Sequence, residues 1–202
     1  MNSQRNSKNV VLASTNQGKL EEIQAILKNT ALHLVLQSHY NVPEIEETAL
    51  SFVENAIIKA RNACLHTQLP AIADDSGLCV RALKGEPGIY SSRYAGKEAS
   101  AEIKIKKLLH ALEDAQDRSA FFYCCLVYLE HPEDPTPVIV CGKWEGEILK
   151  EPQGREGFGY DPIFFVPTHH CAAAELKPEV KNRISHRGQA LEQLLLCYPR
   201  EI

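Results

Sequence analysis

Short apolar runs alternate with segments of helical period through the first third of the chain, and that alternation restricts it to an α/β layer. Asn9 to Ser14 (NVVLAS) is β-branched and apolar, then gives way to polar Thr15-Asn16-Gln17-Gly18-Lys19 and to Leu20, Ile23 and Leu27 at helical spacing. Leu32 to Leu36 reads as a second strand. Phe52 to His66 carries Val53, Ala56, Ile57, Ala60 and Cys64 on one helical face. Ala71 to Ala73 returns as a buried strand ending on Asp74-Asp75-Ser76-Gly77. Helices packed against a central sheet follow from this order, with ligands expected at the carboxyl ends of strands, where both the first loop and the acid pair fall.

The middle of the chain changes character. Ala101 to Leu112 reads as a helix, and two long strand-like runs follow, Ala120 to Glu130 and Pro137 to Leu149. The three prolines between Glu130 and Val138 make the link a turn, so the two runs form an antiparallel hairpin and the sheet is mixed. Ile163 to Val166 is a further strand, and His186 to Cys197 closes the chain as a helix with Ala190, Leu191, Leu194 and Leu195 inward.

A chain of 202 residues supports one domain, residues 1–202, with a polar tail over about residues 1–8. The net charge of -4 argues against a broad grip on a nucleic-acid backbone, which needs clustered Lys and Arg. The start is polar rather than signal-like and no run approaches the ~18 apolar residues of a membrane span, so a cytoplasmic protein without a membrane partner is expected. The seven cysteines are scattered without a CxxC pair, which fits reduced thiols better than disulfides or zinc. His169-His170 beside Cys171 reads as an exposed loop.

Four segments carry chemistry. Ser14-Thr15-Asn16-Gln17-Gly18-Lys19 opens a helix, whose free N–H groups and partial positive charge suit phosphate, although the spacing is not that of a Walker A loop. Asp74 and Asp75 need a cation, a proton or a donor to offset adjacent like charges; Asp, Ser and Gly also make ordinary turns. With Glu44, Glu46 and Glu47 they offer the oxygen ligands that Mg²⁺ requires. Gly157-Phe158-Gly159-Tyr160-Asp161 places an aromatic ring between two glycines, suited to stacking on a planar base or to packing in a core. Lys181 to Gly188 collects donors before the last helix, with Ser185 as a good N-cap.

STNQGK, AIADDSGL, GFGYDP and ISHRGQAL, in that order, resemble the inosine/xanthosine triphosphate pyrophosphatase family, in its bacterial branch. EETALSFVENAIIKAR and GEPGIYSSRYAG add to the likeness, which runs from Val10 to Leu195. The resemblance implies an elongated mixed α/β fold of two lobes with the active cleft between them, a homodimer, and Mg²⁺-dependent conversion of ITP, dITP and XTP to the monophosphate and pyrophosphate, cleansing the nucleotide pool. It implies that Ser14, Thr15, Asn16, Gln17, Gly18 and Lys19 form the triphosphate loop. Asp75 would be proton acceptor and metal ligand, and Glu46, with Glu47 adjacent, the metal-side acid. Ser76 would touch substrate, Phe158, Gly159, Tyr160 and Asp161 would surround the base, and Lys181, His186 and Arg187 would read its oxygen-bearing edge. Two rivals are a pyrophosphatase of the septum-inhibitor type acting on modified pyrimidine nucleotides and a catalytically silent nucleotide-binding regulator. The ISHRG segment speaks against the first, and intact Lys19, Glu46 and Asp75 against the second.

Overall fold

The computed structural model describes residues 9–28, 30 and 32–197. The polar tail therefore lies outside the described residues. Seven strands form one sheet in the order β2-β1-β3-β4-β5-β6-β7: β1 (Asn9–Ala13), β2 (His33–Leu36), β3 (Ala71–Val80), β4 (Ser119–Leu129), β5 (Val138–Ile148), β6 (Phe164–Val166) and β7 (Cys171–Ala172). β1 pairs in parallel with β2 and β3, whereas β6 pairs antiparallel with β5 and β7, so the sheet is mixed as expected. β4 and β5 are sheet neighbours, as the hairpin reading requires. The helices are α1 (Gln17–Leu27), α2 (Phe52–Thr67), α3 (Ala101–Ala111), α4 (Pro178–Ile184) and α5 (His186–Cys197). None among the described residues is long and apolar enough to cross a membrane.

The chain divides into two compact units. The first takes the described residues up to Asp75, then Cys125–Val140 and the described residues from Leu191. Its interior is built from β1, from Leu20, Ile23 and Leu27 of α1, and from Ala56, Ala60, Ala63 and Cys64 of α2. Small residues along α2 let it lie close to β1. Val53 and Ile57, expected on the buried face, are half-buried; Asn55 and Ala63 take the inward positions instead. The second unit comprises Ser76–Cys124 and Cys141–Ala190. Leu78, Leu108, Leu112, Phe122, Trp144, Ile163 and Phe164 form its core.

Three elements depart from the sequence expectation, the smallest being β7, whose two residues are too few to give an alternation signal. β3 does not end at Ala73: it continues through both aspartates, Ser76 and Gly77 to Val80, with nine of its ten residues buried, which excludes a strand-ending turn. α4 occupies a stretch read only as a cluster of donors. Pro178 at its first turn favours helix initiation, while Val180 and Ile184 are too few to give a periodic signal.

Candidate active site

Asn16 caps α1. Its backbone is extended and its side-chain oxygen accepts from the Lys19 N–H at 3.2 Å, so the helix begins at Gln17 and places Gln17, Gly18 and Lys19 in the first turn. Ser14 Oγ accepts from the Asn16 N–H at 3.3 Å, which tightens the bend out of β1. Thr15, Asn16 and Gln17 are exposed, and Gln17 donates to Glu21 at 2.9 Å. Lys19 turns inward and its Nζ lies 2.5 Å from Asp74 Oδ1.

Adjacent residues of a strand face opposite sides of a sheet, so Asp74 and Asp75 need separate partners. Asp75 takes Lys59, whose Nζ lies 2.7 Å from Asp75 Oδ1, 2.6 Å from the Asp74 carbonyl oxygen and 3.0 Å from Glu47 Oε1. Burial works against the Lys59 charge, but Asp75, Glu47 and Asp74 outweigh it and hold its pKa above the ordinary lysine value. Burial pushes the Asp75 carboxyl pKa up from its ordinary value, and Lys59 and Lys19 restrain only part of that rise. Asp75 Oδ2 is buried and accepts no hydrogen bond from the described residues.

That second oxygen has the character of a base or cation ligand, because a buried carboxylate oxygen without a donor is costly until a proton, a water or a metal meets it. Among the described residues no three His, Cys, Asp or Glu side chains form a closed metal cage. Mg²⁺ suits an open arrangement, being held by one or two carboxylates with substrate phosphates completing its shell. Glu47 is turned to Lys59, whereas Glu46 is exposed. The segment bearing both is tied to α2 through Asn55 Oδ1, which accepts from the Ala49 N–H at 3.1 Å.

In the second unit, Lys181 and Asp161 form a buried ion pair at 2.5 Å. The same Asp161 oxygen accepts from the Phe158 N–H at 2.9 Å. Gly157 has φ +74°, and a Cβ there would lie 2.2 Å from that oxygen, so only glycine lets the loop close on the carboxylate. Phe158 is half-buried and presents its ring to two cations, Lys181 Nζ at 4.8 Å and Arg187 Cζ at 6.0 Å from the centroid. Arg187 is buried and donates to Ser76 Oγ at 2.8 Å. His186 stacks on Phe122, with centroids 4.8 Å apart and planes at 11°. Ser185 caps α5 by accepting from the Gly188 N–H at 3.1 Å.

Lys19 and Asp75 thus share one cluster, and Ser76, Phe158, Asp161, Lys181 and Arg187 another. Tyr160 is buried with its hydroxyl donated to the Ser91 carbonyl at 3.1 Å, which makes it an anchor of the loop; Gly159 is a turn residue with φ +63°. Lys59 is the residue that sequence reasoning passed over. Its signal was present: it lies one turn beyond Asn55 and one turn before Ala63, so a lysine shares the buried stripe of an amphipathic helix.

Residues 10–196 match the Ham1 family. A dITP/XTP pyrophosphatase of Coxiella burnetii is 57% identical over 187 residues, covering 92% of this chain and 94% of that protein. A protein of the same name from Vibrio cholerae is 55% identical, covering 93% and 94%. The solved structure of a HAM1 protein from Coxiella burnetii superposes with a TM-score of 0.89 at 55% identity, over 94% of this chain and 98% of that one. A nucleoside-triphosphatase / dITP/XTP pyrophosphatase from Mycobacterium abscessus gives 0.73 at 42% identity, over 93% and 98%. With nearly its whole length matched, the chain belongs to the Ham1 family.

Proposed function

We propose that the protein hydrolyses deaminated purine nucleoside triphosphates, dITP, ITP and XTP, to the monophosphate and pyrophosphate. The observation that carries the reading is Asp75: a buried carboxylate with one oxygen fixed by Lys59 and the other without a donor, its pKa raised by burial. The names of the relatives supply the substrate class.

In this reading Lys19 and the first turn of α1 bind the triphosphate. Asp75 Oδ2 takes a proton from water as the water oxygen bonds to the α-phosphorus. The bond from that phosphorus to the bridging oxygen of the leaving pyrophosphate breaks. Lys59 keeps Asp75 ionised and in one rotamer. Mg²⁺ would be held by Asp75 with one of the two adjacent acids, Glu46 as the resemblance implies or Glu47, which pairs with Lys59 beside Asp75. Once bound, the cation would neutralise phosphate charge. The base stacks on Phe158 while Lys181, His186 and Arg187 supply donors. Hypoxanthine presents an acceptor at position 6 where adenine presents a donor, and a donor facing a donor leaves both unpaired. The protein acts in the cytoplasm as a homodimer.

Pyrophosphate release from dITP, ITP, XTP, dGTP, dATP and dTTP, with and without Mg²⁺, tests the reading. Release confined to the first three and abolished without metal is expected. Asp75→Asn should bind nucleotide yet turn over roughly 10³-fold or more slowly. Release from pyrimidines alone, or from nothing, defeats the assignment.

A further inference from the structure

Two of the three donors proposed to read the base, His186 and Arg187, stand on the first turn of α5, and two glycines decide where that turn lies. Gly142 is on the inward face of β5, where Val140, Gly142, Trp144, Gly146 and Ile148 alternate with outward residues. A Cβ on Gly142 would lie 1.8 Å from the His186 carbonyl oxygen and 2.9 Å from the Ala190 backbone nitrogen. Gly188, inside α5, meets α4 in the same way: its Cβ would lie 2.0 Å from the Asn182 carbonyl oxygen. Real side chains do not tolerate such distances, and in both cases the obstacle is backbone, which cannot rotate aside. Gly188 also occupies a helical position where alanine is the better helix former, so its presence calls for a packing reason.

The geometry points to Gly142 and Gly188 as positioning residues for base selection. The strand and the short helix each meet the start of α5 through a missing side chain, and so set where His186 and Arg187 present their donors. This inference rests on the nucleotide reading above. A methyl group on either side would displace the turn by roughly an ångström or more, enough to spoil directional hydrogen bonds to a base. The cost falls on the substrate those bonds recognise and spares one they already reject.

Trp144, the only tryptophan of the chain, is two residues from Gly142, and its ring lies 6.4 Å from that of His186 with planes at 16°. Its emission therefore reports on the turn without any substrate. Gly146 is the control. It shares the strand face, and its Cβ would lie 2.4 Å from the Phe165 carbonyl oxygen and 2.5 Å from the Phe164 ring, which packs on Trp144 and Phe122. Its three nearest atoms include none from α5, so it disturbs the same aromatic packing without pressing on the turn directly.

Gly142→Ala, Gly188→Ala and Gly146→Ala are compared by kcat and KM for dITP and dATP, by Trp144 emission and by thermal unfolding. In Gly142→Ala and Gly188→Ala the ratio of kcat/KM for dITP to that for dATP should fall by roughly tenfold or more, chiefly through KM for dITP. Gly142→Ala should also shift Trp144 emission. Gly146→Ala should lower the unfolding temperature and keep the ratio. Equal losses for both nucleotides in the two test variants, or an equal change of ratio in the control, overturn the inference. So does failure of both Gly142→Ala and Gly188→Ala to fold, since the glycines would then serve the fold rather than selection. A wild-type protein idle toward dITP and XTP defeats the proposed function instead, and the emission of folded Gly142→Ala still decides whether the turn moves.

Discussion

Asp75 and Lys59 form the smallest unit with chemical consequence. Burial raises the Asp75 pKa and Lys59 opposes the rise, so removing the ammonium must raise it further. A general base works only when ionised; activity is therefore present above this pKa and lost as pH falls through it. The fold responds with the opposite sign. A raised folded-state pKa means that the stability Asp75 contributes is present at low pH and is lost as pH rises through that pKa. Lys59, also raised, stabilises at all pH values below the ordinary lysine value of about 10.4 and keeps its charge throughout the working range. Lys59→Met should therefore move the acid limb of kcat/KM to higher pH, leaving the rate at pH 9 less affected than at pH 6. A limb that stays in place would separate Lys59 from the base. Lys19, Asp75 and Arg187 were legible as residue types in suggestive company. That Glu47 rather than Glu46 pairs with Lys59 was not, because only the fold decides which of two neighbouring acids turns toward a lysine one helix away.

At the scale of elements, Asp161 organises its loop. Its carboxylate, 3% exposed with the rest of the residue, holds both Lys181 of α4 and the Phe158 N–H. Removing one member of a buried ion pair leaves the other charged and desolvated, which costs about 3–5 kcal/mol. Asp161→Ala should therefore lower the midpoint of urea unfolding at unchanged slope, by an amount of that order. A loss under about 1 kcal/mol would mean that Lys181 finds solvent when its partner is gone. The same physics explains the misread end of β3. Asp, Ser and Gly carry turn propensity, but Asp74 meets Lys19 and Asp75 meets Lys59, and paired charges let the strand run on through both acids. The pairing partners are distant in sequence, so local reading cannot see them. α1, α2, α3 and α5 were legible because each keeps an apolar period over at least eleven residues; α4, with seven, does not.

For the whole molecule, the two compact units carry different kinds of chemistry, which gives the proposed function a signature in ratios. The first unit holds Lys19, Lys59, Asp75 and Glu47, charges suited to a triphosphate that every nucleotide shares. The second holds Phe158, Lys181 and Arg187, an aromatic face and buried donors suited to the base, which differs among nucleotides. Lys19→Ala should lower kcat/KM for dITP and for dATP by one common factor, on the order of a hundredfold. Arg187→Ala should lower it for dITP and hardly change it for dATP, narrowing preference by at least about tenfold. Each variant also removes one polar contact, from buried Asp74 in one and half-buried Ser76 in the other, which lowers the folded fraction of each preparation. Mixing dITP and dATP in one reaction removes that complication, because the fraction folded multiplies both rates equally and cancels from their ratio. A ratio changed by Lys19→Ala, or unchanged by Arg187→Ala, would show that phosphate and base recognition are not divided between these two groups of residues.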